Sequence, residues 1–127
     1  MRKDMCNYCN VYSIYFERSI DVSEFNKRIL KIIKNLTIVE FEDNMFNYEI
    51  KDKTYRGVSI ICYTDSIDII TPIFSNSYDN QLEFLLLNYL AFFTNGIIHD
   101  HLVNSKYYPY DDRMEIKDDA SVKLSNW

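Results

Sequence analysis

The chain has 127 residues and a mass of 15.3 kDa, and 47% of its side chains are apolar and 16% aromatic. This composition excludes a disordered or collagen-like chain and predicts a single globular domain over residues 1–127. The 14 basic and 19 acidic side chains give a formal net charge of -5. An acidic chain lacks the basic footprint of direct nucleic-acid binding, so we expect no such partner.

The charge and the cysteines also bear on the compartment and on the partner. Residues 1–64 carry ten basic and nine acidic side chains, whereas residues 65–127 carry four and ten. An acidic half favours a basic partner, or simply solubility. Three cysteines argue against a secreted disulfide framework, and no export signal follows the N-terminus. We therefore expect a cytoplasmic protein without a membrane segment, because the longest apolar run is also far too short to span a bilayer.

The first half of the chain predicts one strand, one helix and a series of strands. Residues 8–18 alternate with a period of two, which indicates a strand. Asp21 and Glu24 form a capping-box pattern before an amphipathic helix from about 22 to 34. Four short strands follow, at 37–42, 45–50, 54–63 and 67–73. The short turns between them predict an antiparallel meander, and Pro72 places the end of the last strand at an edge.

The second half predicts a helix from about 79 to 95, with Asp79 or Asn80 as N-cap and Gly96 just beyond its end. Apolar side chains surround most of this helix, so it must be buried on nearly all sides. It would lie between the sheet and the tail, or form a homodimer through the segment Phe84–Phe93. The acidic tail over 104–127 is expected to be irregular.

The resulting element order is β-α-β-β-β-β-α-tail. This order predicts an α+β fold with an antiparallel sheet of about five strands. We expect the two helices to pack on one face of the sheet and the other face to be solvated.

Two cysteines and two histidines have ligand-like spacing. Cys6, Cys9, His99 and His101 would be the residues of a Cys₂His₂ zinc site. Cys6 and Cys9 have opposite parity in an extended strand, however, and no glycine turns the chain between them. We therefore expect no metal site and no cofactor. The histidines would alternatively serve as an acid/base pair, but no motif for a nucleophile or a phosphate loop accompanies them, so we expect no enzymatic activity.

Three basic residues suggest an alternative, ligand-binding interpretation. Lys27, Arg28 and Arg56 would hold a phosphate-bearing, nucleotide-like ligand in an oligomeric sequestering protein of phage or bacterial defence. Lys27 and Arg28 also lie opposite the apolar stripe of the first helix, as charged residues do on any solvated helix face.

The tyrosines of the tail, followed by carboxylates, form the candidate partner-binding surface. Tyrosine is a favoured interface anchor, and neighbouring acidic groups steer a basic partner. The residues of this surface are Tyr107, Tyr108, Tyr110, Asp111, Asp112 and Glu115, with Asp100 as a further member. They predict a non-enzymatic binding protein of the immunity or inhibitor type, which neutralises a basic, nuclease-like toxin or effector. An acidic secretion chaperone is a further alternative.

Overall fold

The computed structural model describes residues 9–17, 20–72, 74–101, 105–107, 114–116 and 122–124. Within these ranges the chain forms two helices, α1 (Val22–Ile32) and α2 (Ser77–Thr94). The strands there are β1 (Cys9–Tyr15), β2 (Leu36–Glu42), β3 (Met45–Ile50), β4 (Val58–Cys62), β5 (Ser66–Pro72), β6 (Ile97–Asp100), β7 (Ser105–Tyr107), β8 (Met114–Ile116) and β9 (Val122–Leu124).

The main sheet has seven strands in the order β2-β3-β4-β5-β1-β6-β7, and each neighbouring pair is antiparallel. The strands β2 to β5 form the predicted meander, and β1 adds beside β5. The α+β class is therefore confirmed. The sheet is larger than the predicted five strands because β6 and β7 extend it beyond β1.

One face of the sheet forms the hydrophobic core with both helices. Ile14, Ile67, Ile69 and Ile98 are fully buried in this core. α2 contacts β5, β1, β4 and β6, and α1 joins it on the same face. The two helices meet where the rings of Phe25 and Phe93 pack edge to face, with centroids 5.4 Å apart. The prediction of two helices on one face is confirmed.

The opposite face of the sheet is solvated only in part. Val39 and Phe41 on β2 are exposed. At the centre of the sheet, however, Ser13, Ser66 and Asp68 are buried on this same face. The prediction of one fully solvated face is therefore wrong at the centre, where three polar side chains lie inside the protein.

Helix α1 begins as the sequence predicts, with one change. The Asp21 carboxylate accepts hydrogen bonds from the backbone N–H groups of Ser23 and Glu24, which would otherwise lack partners. The Glu24 carboxylate does not reach back to the cap. It accepts a hydrogen bond from Arg28 Nε at 3.3 Å, one turn further along the helix.

Helix α2 starts two residues earlier than predicted because Asn76 is its N-cap. Asn76 Oδ1 accepts from Asp79 N, and Asp79 Oδ2 accepts from Asn76 N, so the two form a capping box. Asp79 Oδ1 also accepts from the backbone N–H groups of Tyr55, Arg56 and Gly57. A fully buried carboxylate thus ties the β3–β4 loop to α2, which shortens β4 relative to the predicted strand 54–63.

At its other end, α2 stops at Asn95 rather than at Gly96. Asn95 adopts the left-handed conformation that closes a helix. Gly96 serves a different purpose, because a Cβ atom there would lie 2.5 Å from the Ile14 side chain. The glycine therefore allows the chain to pass close to β1 before entering β6.

The chain itself covers α2 on most sides. The helix contacts the sheet and also β8 and β9, which pair with each other in a separate two-stranded sheet. These short strands, with β7, occur in the tail 104–127, which the sequence predicted to be irregular. Of the apolar segment Phe84–Phe93, Phe92 is the residue with a substantially exposed side chain, at 43%. The helix therefore does not need a second copy to cover it.

We expect Asp79→Asn to lower the free energy of unfolding by about 3 kcal/mol. The backbone N–H groups would lose a charged acceptor, and some of them would face the NH₂ group of the amide instead. Urea denaturation measures this loss. Asp65→Asn, in an exposed turn, is the matched control and should change stability by less than about 0.5 kcal/mol. Equal stability of the two variants would contradict the role assigned to Asp79.

Candidate functional site

The predicted partner-binding surface lies largely outside the described residues. Tyr108, Tyr110, Asp111 and Asp112 are not described, and only the backbone is described at Tyr107 and Glu115. Tyr107 ends β7, the outer strand of the main sheet, and Glu115 is the middle residue of β8. Both ends of the segment are therefore anchored in strands.

Asp100, the remaining member of that predicted surface, does not lie on an open acidic surface. It is half-buried in β6, directly opposite Tyr12 of β1, on the side of the sheet that faces the helices. Its charge acts on Glu83 of α2. Asp100 therefore lies on the side of the sheet where α2 packs, near enough for its charge to raise the pKa of Glu83.

Glu83 is a buried carboxyl group with a strongly altered acidity. Burial, together with the negative charge of Asp100, raises the pKa of Glu83 to about 7. The Thr71 hydroxyl on β5 donates a hydrogen bond to Glu83 Oε2, which partly offsets this rise. The Glu83 carboxyl group therefore keeps its proton to a higher pH than an exposed glutamate does.

A second polar cluster lies on the other face of the sheet, where β5, β1 and β6 run side by side. Ser13 of β1 pairs in register with Asp68 on β5 and with His99 on β6. Ser13 Oγ donates to Asp68 Oδ1 at 2.6 Å and lies 2.6 Å from His101 Nε2. A hydrogen bond from His101 N to Val11 O holds this histidine beside β1. Strands β5 and β1 and the residue that follows β6 therefore bring together a carboxylate, a hydroxyl and an imidazole.

The direction of these bonds decides what the cluster does chemically. The single hydroxyl proton of Ser13 goes to Asp68, so His101 Nε2 must carry the proton of the second bond. In a Ser-His-Asp triad the imidazole instead stands between the serine and the carboxylate and accepts the serine proton. Ser13 is also only 1% exposed. The cluster fixes one tautomer of a half-buried histidine, and it does not activate a serine nucleophile.

The structure describes only some of the side chains considered as zinc ligands in the sequence analysis. Cys6 and the side chain of Cys9 lie outside the described residues. His99 and His101 do come together, with ring centroids 4.4 Å apart, and Tyr15 packs near His99 with centroids 6.1 Å apart. Among the described residues no group of three metal-ligating side chains is arranged to hold an ion.

The alternative phosphate site does not assemble. Arg28 lies over the ring of Phe93, near the C-terminal end of α2, at 5.3 Å from the ring centroid. Arg56 is tied through its backbone to Asp79, in the first turn of the same helix. Fourteen helical residues separate these anchor points by roughly 21 Å. Arg28 and Arg56 therefore lie near opposite ends of α2, and Lys27 is exposed on α1 next to Arg28 in the sequence.

The described surface includes two depressions that border α1. The larger, of about 650 Å³, is lined by residues near the start of α1 and the β4–β5 turn, including Cys62. Burial raises the pKa of the Cys62 thiol to about 12, so this cysteine is not a reactive thiolate. The smaller, of about 300 Å³, lies between the helices, and we call it the α1–α2 groove. Its lining residues are Phe25, Arg28, Ile29, Ile32, Tyr89, Phe92 and Phe93.

Sequence reasoning missed the buried polar residues. Ser13, Asp68 and Glu83 were visible as polar residues inside apolar strand or helix patterns, for example Asp68 between two isoleucines. That pattern is consistent with a solvated face, so the sequence alone does not show that these side chains are buried. The strand register that brings Ser13 opposite Asp68 is a long-range property of the fold.

We expect the stability of the protein to fall by up to about 3 kcal/mol as the pH rises from about 5 to 8, because Glu83 binds a proton more tightly when folded than when unfolded. Glu83→Gln keeps an acceptor for Thr71 and should remove most of this slope, measured by urea unfolding across the range. The control is Glu49→Gln at an exposed position, which should keep the slope. Parallel wild-type and Glu83→Gln curves would disprove the assignment.

His101 should be found with its proton on Nε2, as the donor to Ser13. Long-range ¹H–¹⁵N correlation spectra distinguish the two neutral tautomers by their nitrogen shifts. In Ser13→Ala the preference for this tautomer should weaken, because the acceptor is lost. A proton on Nδ1 in the wild-type protein would show that the inferred bond direction is wrong.

No helix in the described part of the chain is both long and apolar enough to cross a membrane. Comparison of the chain with models of protein families, with curated proteins and with solved structures finds no match in any of the three.

Proposed function

We propose that the chain is a non-enzymatic binding protein of the immunity or inhibitor type, which neutralises a basic, nuclease-like toxin or effector. The segment from Tyr107 to Glu115 is its contact surface. Tyrosines supply anchors with low rotamer entropy, and Asp111 and Asp112 supply charge complementary to a basic cleft.

The observation that supports this role most directly is how the segment is attached. It begins in β7, an outer strand of the main sheet, and ends in β8, a strand of the separate two-stranded sheet that contacts the buried helix α2. A segment fixed at both ends loses less conformational entropy on binding than a free tail does. This attachment of both ends supports the segment as the proposed contact.

The distribution of charge refines the proposal. Of the ten acidic side chains in residues 65–127, Asp68, Asp79 and Glu83 are buried. They cannot contact a partner, so the net charge overstates the acidity of the surface. We therefore assign the steering role to the carboxylates of the segment itself, Asp111, Asp112 and Glu115. This limits the candidate residues to a short stretch that mutagenesis can test.

A cytoplasmic location is part of the same proposal. Cys62, the cysteine whose side chain is described, is a free thiol. Free thiols are typical of reducing compartments, where an immunity protein meets a toxin made or imported in the same cell.

The charge reversal Asp111→Lys with Asp112→Lys should slow association with the co-purified partner on the order of tenfold at low salt, because steering depends on these charges. Stopped-flow mixing at two ionic strengths measures the effect. Asp43→Lys, in the exposed β2–β3 turn, is the control and should leave the rate unchanged. An unchanged rate for the double variant, or an acidic partner, would contradict the proposal. A retained small molecule would instead favour the ligand-sequestering alternative.

A further inference from the structure

Strand β2 lies at one edge of the main sheet and pairs on one side only, with β3. Asn35 O accepts a hydrogen bond from Lys51 N, which continues the β2–β3 ladder by one residue. Because backbone groups alternate in direction along an antiparallel strand, the N–H and C=O groups of Leu36, Ile38 and Glu40 point away from β3. Among the described residues none bonds to these groups, so β2 presents a template for a further strand.

The composition of β2 does not protect this edge against pairing. Edge strands of soluble proteins are commonly blocked by a proline, a lysine or a bulge within the strand. The seven residues of β2 include no proline and no lysine, and their register shift lies at the very end, between Glu40 and Glu42. Apolar side chains are exposed instead, with Val39 at 54% and Phe41 at 52%. These features are typical of a strand that pairs in an assembly.

The flank of α1 beside this edge is apolar as well. Asn26 Oδ1 accepts a hydrogen bond from the Tyr48 hydroxyl on β3 at 2.5 Å, so this flank of α1 faces the β2–β3 side of the sheet. Leu30 lies one turn further along the same flank and is 49% exposed. Arg28 and Ile32, on the other flank, line the α1–α2 groove. The apolar surface beside β2 is therefore distinct from that groove.

The sequence of β2 is complementary to itself when two copies run antiparallel. With Thr37 of both chains at a two-fold axis, Leu36 of one chain lies opposite Ile38 of the other. Lys34, in the turn before β2, then lies opposite Glu40 of the other chain. Moving the axis by one residue in either direction would place an aliphatic side chain opposite a charge. The pattern therefore selects a second copy as the occupant, and it also selects the register.

We propose that the chain forms a two-fold symmetric dimer through antiparallel pairing of β2 with β2 of a second copy. The backbone groups of Leu36 and Ile38 of the two chains bond to each other and join the two main sheets into one. The opposite edge of each main sheet is β7, where the Tyr107–Glu115 segment begins. A dimer through β2 therefore leaves both copies of that segment at its outer edges.

Sedimentation velocity of the full-length protein over a hundredfold concentration range tests the dimer. We expect a reversible monomer–dimer equilibrium. Thr37→Lys should leave the protein monomeric throughout this range, because like charges would lie directly opposite each other at the axis. The matched control is Val39→Lys, at an exposed position on the same strand that does not meet its own copy, and it should keep the dimer. A wild-type monomer at every concentration, or equal effects of the two variants, would overturn the proposal.

A charge exchange tests the register of the two strands. Lys34→Glu and Glu40→Lys should each weaken dimerisation about tenfold, because in a symmetric dimer either change creates two like-charge contacts. The chain that carries both changes should recover the dimer. Glu40→Lys also removes the side-chain acceptor of Asn44 N, so the double variant decides. Circular dichroism checks that each variant is folded, and a double variant that stays monomeric would contradict the proposed pairing.

Hydrogen exchange locates the contact within the chain. The amides of Leu36 and Ile38 point away from β3, so they should exchange fast in the monomer and become protected as the dimer forms. The amides of Thr37 and Val39 point towards β3 and should already be protected in the monomer. A dimer without protection at Leu36 and Ile38 would show that the second copy binds elsewhere. None of these readouts involves the Tyr107–Glu115 segment, so their failure leaves the proposed toxin-neutralising role to its own test.

Discussion

The structure depends on the burial of one long helix inside a small chain. The leucines of α2 point in several directions, so a single sheet face cannot cover them all. The chain solves this by packing the helix on four strands of the main sheet, against α1 at Phe93, and against β8 and β9. This arrangement explains why β8 and β9 of the tail pack against α2. It leaves Phe92 exposed, beside the α1–α2 groove where the two helices meet.

A consequence of this packing is that charged groups lie inside. Asp79 is satisfied by four backbone N–H groups, and in that way it anchors the β3–β4 loop. Asp68 receives the Ser13 hydroxyl proton, within a network that reaches His101. Glu83 has fewer compensating bonds beside the charge of Asp100, and its pKa rises to about 7. The acidity of the second half of the chain is therefore partly structural, which restricts any electrostatic role in binding to the remaining carboxylates.

Local patterns predicted the element types well. Each correct prediction depended on residues close in the sequence. These were the alternation of β1, the Asp21 cap of α1, and the apolar side chains around most of the circumference of α2. Features that depend on distant residues were not predictable in the same way. Asn76 became the cap because Asp79 is engaged by a loop some twenty residues earlier, and Ser13 is buried because β5 and β6 flank β1. The candidate binding residues were chosen from a local run of tyrosines followed by carboxylates. The α1–α2 groove was not predictable in this way, because it depends on how two helices far apart in the sequence pack together.

The most direct test of this account is native-state hydrogen exchange of the α2 backbone amides in Thr37→Lys, where pairing through β2 is blocked, at a low and a hundredfold higher protein concentration. If one chain buries the helix by itself, the amides from Leu85 to Leu90 should exchange only through global unfolding, with protection that does not change on dilution. Protection that falls on dilution would show that a second copy covers the helix, and it would contradict the packing described.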